Sequence, residues 1–290
     1  ADAFNNPVPE GTSVSFTTSG GSIDGSCLAD STGKCEVTWR NQNPRPATGR
    51  ITILATALGN ESFIDANGNG FYDATDTFSS GNSSCALNAP PSTLVDPSTA
   101  CDDLGEAYRD SNQSGAYDLG ELFFDIFGTS SSLGADGLRT EGNGIYDGAL
   151  CSDTALNNGK CTRNAVTVRE DLVLVLSNSE AGTTGSRLTG QPANVEIAAN
   201  SIETFSVILS DALNNSLPGG TTVTINSTDV MGATVSLLPS EVVVPLNRIG
   251  PTTFEVQVKR DGDVASGQFR LVVTTPEGTT KEYATTITSL

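Results

Sequence analysis

Fifteen residues at the start of the chain, Asp2 to Phe16 (D-A-F-N-N-P-V-P-E-G-T-S-V-S-F), return far downstream as Asp211 to Ile225 (D-A-L-N-N-S-L-P-G-G-T-T-V-T-I). Self-similarity over that distance implies two copies of one domain type. Both copies end in alternating apolar and polar residues, the period of a strand with one buried face. The same period marks Ser13 to Thr17 (Val14 and Phe16 inward), Cys35 to Arg40 (Val37, Trp39) and Arg50 to Leu58 (Ile51, Ile53, Ala55, Ala57). It returns at Ala165 to Leu176. In the second half, strands are expected at 194–198, 204–209, 221–226, 233–237, 241–245, 253–259, 268–274 and 282–288. No stretch has the pattern of a long amphipathic helix.

This strand spacing suits an immunoglobulin-like sandwich. The segment Asn6-Pro7-Val8-Pro9-Glu10-Gly11-Thr12 resembles the signature of bacterial Ig-like domains of the invasin and intimin type. Asn5 stands where that family prefers Gly, and the second copy departs further at Ser216 and Leu217. The resemblance implies a bacterial surface protein and says nothing specific about function. The expected fold class is all-β, with two Ig-like sandwiches. The first comprises 1–60 plus 163–178 and is interrupted by a loop-rich insertion at 61–162. A linker at 179–190 leads to the second sandwich at 191–290. Two expected strands precede Asp211 but only Ala1 precedes Asp2, so the first sandwich is expected to be N-terminally incomplete. Its missing strands are either truncated or donated by a neighbouring subunit.

The formal charge of −19 disfavours nucleic acid and membrane insertion, and no twenty-residue apolar run is present. With no histidine in the chain, the commonest general acid/base chemistry is missing, and an enzyme is not expected. Six cysteines fall in three close pairs. The economical pairing is Cys27 to Cys35, Cys85 to Cys101 and Cys151 to Cys161, one of fifteen possible connectivities for six cysteines. Disulfides imply an oxidising, extracellular setting.

Charge is concentrated between Glu61 and Asp153, which holds 16 of the 34 acids and 2 of the 15 Lys and Arg. Unneutralised, these carboxylates repel one another, so the natural partner is a cation. Asp110 to Glu121 (D-S-N-Q-S-G-A-Y-D-L-G-E) has the spacing of a twelve-residue calcium loop. Asp110, Asn112, Ser114, Asp118 and Glu121 offer side-chain oxygens, Ala116 offers its carbonyl, and Gly115 makes the sixth-position turn. A second loop, Asp65 to Asp76, has Asp65, Asn67, Asn69 and Asp73 as ligands, the Phe71 carbonyl, and Asp76 at the twelfth place. Asp76 is short for that role, and Glu106 is weighed as its replacement. A third, degenerate copy holds Glu141, Asn143 and Asp147. Arg139 stands where its first carboxylate belongs, and Asp125 is expected to substitute.

The hard oxygen donors and tight glycines favour calcium over magnesium, with two or three ions expected. The loops resemble EF-hand loops without flanking helices, as in dockerin-like and other extracellular calcium repeats. Recurrent aromatics, among them Phe63, Tyr72, Tyr108, Tyr117, Phe123 and Tyr146, are expected as a small core around them. Together these features imply a structural, calcium-rigidified segment of an adhesin, stalk or matrix fibre at the bacterial surface. The alternatives are a self-assembling filament subunit using strand complementation, and a calcium-dependent module for a host, matrix or glycan ligand.

Overall fold

The computed structural model describes residues 6–79, 102–125, 137–139, 142–177 and 186–290. It is all-β, and its one helix among these residues is α1 (Asp153–Asn157). Residues 1–46 and 51–173 form one compact unit, and 47–50 with 174–290 form another. No helix of the described residues is long and apolar enough to cross a membrane.

The first unit carries β1 (Ser13–Thr18), β2 (Ser22–Ile23), β3 (Ser26–Leu28), β4 (Trp39–Arg40), β5 (Arg50–Gly59), β6 (Tyr146–Asp147), β7 (Cys161–Thr162) and β8 (Val166–Val175). Its main sheet has the order β3-β1-β5-β8, with β2-β4 and β6-β7 as two-stranded ribbons. The second unit carries β9 (Ser186–Thr189), β10 (Asn194–Ile197), β11 (Ile202–Asp211), β12 (Thr222–Asn226), β13 (Ala233–Leu238), β14 (Val242–Val243), β15 (Thr252–Arg260), β16 (Ser266–Thr274) and β17 (Thr280–Ser289). These form a two-sheet sandwich, β10-β17-β16-β12-β14 over β13-β15-β11-β9. Its core includes Ile197, Val207, Leu209, Val256, Phe269, Leu271 and Ile287, the inward positions of alternating strands.

Six strands of the first unit, β1 to β5 and β8, repeat the second unit's β12 to β17 in order. In each, the Thr after the turn glycine donates its N–H and its Oγ1 to the Pro three residues earlier. The distances are 3.1 and 2.7 Å for Thr12 to Pro9, and 3.0 and 2.7 Å for Thr221 to Pro218. Gly11 and Gly220 both lie at positive φ (85° and 87°), which explains why glycine stands there. The next hairpin is equivalent too: Gly11 N–H donates to the Ala29 carbonyl and Gly220 N–H to the Val244 carbonyl, each at 2.8 Å. The pairs β1·β3, β1·β5 and β2·β4 thus match β12·β14, β12·β16 and β13·β15. The β16·β17 connection is the short turn 275–279; at the matching place, between β5 and β8, the first unit carries its acidic insertion.

Three expectations change. Cys35 to Arg40 is a strand only at Trp39–Arg40. Its counterpart β15 is paired on both sides, by β13 and β11, whereas among the described residues β4 pairs with β2 alone, and a strand needs partners for its backbone groups. The segment 179–190 is not all linker, because β9 pairs antiparallel with β11. β5 is buried on both faces rather than one: Thr52 and Leu54 are as enclosed as Ile51 and Ile53. Thr52 Oγ1 donates to the Asp110 carbonyl at 2.7 Å, so the insertion lies on that second face.

Candidate metal centre

The two contiguous loops share one hydrogen-bond pattern. The first carboxylate accepts the N–H of the sixth-position glycine: Gly70 to Asp65 Oδ2 at 2.7 Å, Gly115 to Asp110 Oδ2 at 2.8 Å. Those glycines lie at φ 77° and 82°, where a side chain would be strained. The twelfth carboxylate accepts the N–H groups of positions two and nine. Asp76 takes those of Ala66 (3.0 Å) and Asp73 (2.8 Å); Glu121 takes those of Ser111 (2.6 Å) and Asp118 (3.1 Å). The third-position amides, Asn67 and Asn112, donate to the ninth carboxylates, Asp73 and Asp118, at 2.9 and 2.8 Å. Asn69 and Ser114 reach the same carboxylates at 2.8 and 2.7 Å. Asp76 thus closes its own loop from the twelfth place, and Glu106, weighed for that place, is buried.

A third loop has the same pattern but is assembled from three separate segments. Gly144, at φ 83°, donates its N–H to Asp103 Oδ2 at 2.8 Å, the first-to-sixth contact. Asn143 stands at the fifth place, its Oδ1 accepting from Ile145 N–H (2.9 Å) and its Nδ2 donating to Asp147 Oδ2 (2.7 Å). The twelfth place belongs to Glu61, whose two oxygens accept the N–H groups of Leu104 (2.6 Å) and Asp147 (2.7 Å). Asp103 thus occupies the first place expected for Asp125. Asp125 Oδ2 accepts instead from Gly137 N–H at 2.6 Å, because 137 and not 144 is the glycine brought beside it. Glu141 lies outside the described residues. Glu61 and Asp103 were not among the expected ligands, and the recurring phrase E-x-x-x-D (Glu61/Asp65, Glu106/Asp110, Glu121/Asp125) was the signal that held Glu61.

Each loop also brings aromatic rings at fixed offsets. The eighth position is tyrosine in all three: Tyr72, Tyr117 and Tyr146. Tyr72 and Tyr146 meet at 4.9 Å, with Phe63 and Phe78 packed edge-on around them. Tyr117 packs between Tyr108 (5.6 Å) and Phe123 (5.7 Å). The Cys151–Cys161 disulfide closes the first cluster, and Cys27–Cys35 ties β3 to the loop before β4. Cys85 and Cys101 lie outside the described residues.

The loops differ electrostatically. Thr75, Asn67 and Asn69 hold Asp73 below the usual carboxylate range, and Asn112 and Ser114 do the same for Asp118, because donated hydrogen bonds favour the anion. Glu61 goes the other way. Burial raises its pKa to about 8; the Leu104 and Asp147 N–H groups oppose this, and the nearby Asp147 and Asp103 charges add to it. Glu61, Asp103 and Asp147 are 4, 3 and 3% exposed, in a chain segment whose only cationic side chains are Arg109 and Arg139. Among the described residues no three acids or thiols converge closely enough to grip a metal as they stand; the loop carboxylates are turned onto loop N–H and amide donors.

No family model matches the chain, and no curated protein matches it. Among solved structures, a conjugate transposon protein fragment from Bacteroides vulgatus aligns at 15% identity and TM-score 0.26, covering 38% of this chain and 92% of its own. Domains 4 and 5 of the S-layer protein SbsC align at 22% identity and TM-score 0.26, covering 42% of this chain and 52% of theirs. A longer SbsC structure aligns at 17% identity and TM-score 0.27, with this chain spanning 37% of its length. At these TM-scores the superpositions carry no structural or functional argument.

Proposed function

We propose that this chain is a structural segment of an extracellular bacterial surface protein, of the adhesin, stalk or matrix-fibre kind, whose 61–162 insertion calcium makes rigid. The observation that carries the reading is the recurrence of one donor pattern in three loops, the third drawn from residues far apart in sequence. Acids crowded this closely are unfavourable unless a cation neutralises them. The donors are hard oxygens on flexible glycine-rich backbone, which suits calcium better than the stricter octahedron of magnesium. In each loop an asparagine NH2 group points at the ninth carboxylate; turning that amide over presents its oxygen to an ion instead. Two disulfides accord with an oxidising location, where calcium is abundant enough to fill even weak loops. Limited proteolysis tests the reading: chelation should open cleavage sites between Glu61 and Asp153, and an identical digest with and without chelator sinks it.

A further inference from the structure

The three loops do not touch the rest of the first unit in the same way. The 65–76 loop packs its aromatics into the insertion's own cluster with Tyr146 and the Cys151–Cys161 disulfide. The 110–121 loop is fastened to the main sheet. Thr52, near the start of β5, donates Oγ1 to the carbonyl of Asp110, the loop's first residue, at 2.7 Å. Arg109, one residue earlier, reaches the Thr18 carbonyl at the end of β1 at 2.7 Å, while its own N–H closes the loop on the Leu122 carbonyl at 2.8 Å. Arg169, on β8, donates to the Tyr108 carbonyl at 2.7 Å and lies 3.9 Å over its ring. Arg139 lies 4.7 Å from the same ring. Thr52 and Tyr108 are each 1% exposed, so their ends of these part-buried bonds are shielded from water, where leaving a polar group unsatisfied costs most. Three of the four strands of the main sheet thus each bond to residues 108–110: β1 accepts through the Thr18 carbonyl, β5 donates through the Thr52 hydroxyl and β8 through the Arg169 guanidinium.

We propose that cation occupancy of the 110–121 loop is transmitted through Thr52, Arg109 and Arg169 to the β3-β1-β5-β8 sheet, so that this loop, and not 65–76, sets the sheet's stability. The proposal rests on the calcium reading. A ligand stabilises only the cooperative unit that must be folded to bind it. Placing the first ligand requires the Asp110 backbone to be fixed, and Asp110 is fixed by β5. Opening β5 therefore releases the loop, and filling the loop resists opening β5. The 65–76 loop has no such bond to the sheet among the described residues, and its occupancy stays within the insertion.

Hydrogen exchange on the full chain, with saturating calcium against chelator, tests this. Calcium should slow exchange of both the 110–121 and the β5 amides by about tenfold or more, a factor worth about 1.4 kcal/mol. Glu121→Gln should abolish the response at the start of β5, around Thr52, whatever the divided loop through Glu61 adds at the strand's far end, and Asp65→Asn should leave it intact. Thr52→Val and, as a second probe should that variant fold poorly, Arg169→Leu should keep the loop's protection while removing that of β5. Protection of the loop without β5 in the unaltered chain overturns the coupling and leaves the calcium reading standing. Protection of neither removes the calcium reading and the coupling with it.

Discussion

Glu61 is the residue on which the acid chemistry turns. Its position two residues beyond β5 places it at the mouth of the insertion, where it accepts from segments near 104 and 147 at once. A carboxyl with a folded pKa raised from 4.5 to about 8 keeps a proton that the unfolded chain releases. Stability in chelator is therefore highest below pH 4.5 as far as this group is concerned, and falls as pH rises to about 8. Thermal melts in chelator should show that decline, and Glu61→Gln should flatten it; an unchanged slope would mean the burial of Glu61 is not its cause. On the calcium reading the preference reverses, because an ion selects the ionised form, and so binding should tighten with rising pH over the same window. Glu61 was visible in sequence as one of three E-x-x-x-D phrases. Its role was not, since spacing shows which residues share a loop only when the loop is contiguous.

At the scale of elements, the closure of the contiguous loops was readable in the sequence. Asp110 to Glu121 and Asp65 to Asp76 have their first, sixth, ninth and twelfth residues in the places expected, because twelve neighbouring residues close a turn on themselves with little help. Strands were readable where both edges are paired, as in β15 and β16, and misread at Cys35 to Thr38, where an edge has no partner among the described residues. Asp76 is one methylene shorter than Glu121, and a bidentate twelfth ligand favours glutamate. Asp76→Glu should raise calcium affinity of the 65–76 loop by about tenfold, read by titration calorimetry in a Glu121→Gln background that silences the neighbouring loop. The helix α1 depends on its cap: Ser152 Oγ accepts from Ala155 N–H at 3.3 Å. Ser152→Ala should cost about 1 kcal/mol in denaturant unfolding, and no loss would show that the disulfide at Cys151 already fixes this turn.

Seen whole, the molecule is one domain plan used twice, with a turn of five residues (275–279) in one copy and the insertion in the other. The repeat of fifteen residues carried that plan legibly, down to the bonds of Thr12 and Thr221. What the insertion does to its host was not legible, because covering the outer face of β5 is a property of the folded contact and leaves alternation in the sequence unchanged. The Cys151–Cys161 bridge, with a separation of 10, should contribute about 2–3 kcal/mol by restricting the unfolded insertion. Cys151→Ser with Cys161→Ser should lower the insertion's unfolding midpoint accordingly while leaving the second unit's melting unchanged.

The third loop has a consequence for how such a chain is made. Glu61 and Asp147 are 86 positions apart, so a chain leaving a ribosome or passing through a secretion pore exposes Glu61 long before its partners follow. On the calcium reading, the contiguous loops would take up an ion as soon as twelve residues are out. The divided one cannot close until the insertion has emerged almost entire, and it then locks the exit from β5 to the return toward β8. On the calcium reading proposed above, a chain of this design would stay threadable during export and become stiff only on arrival, with the outside concentration of the ion acting as the signal that transit is over.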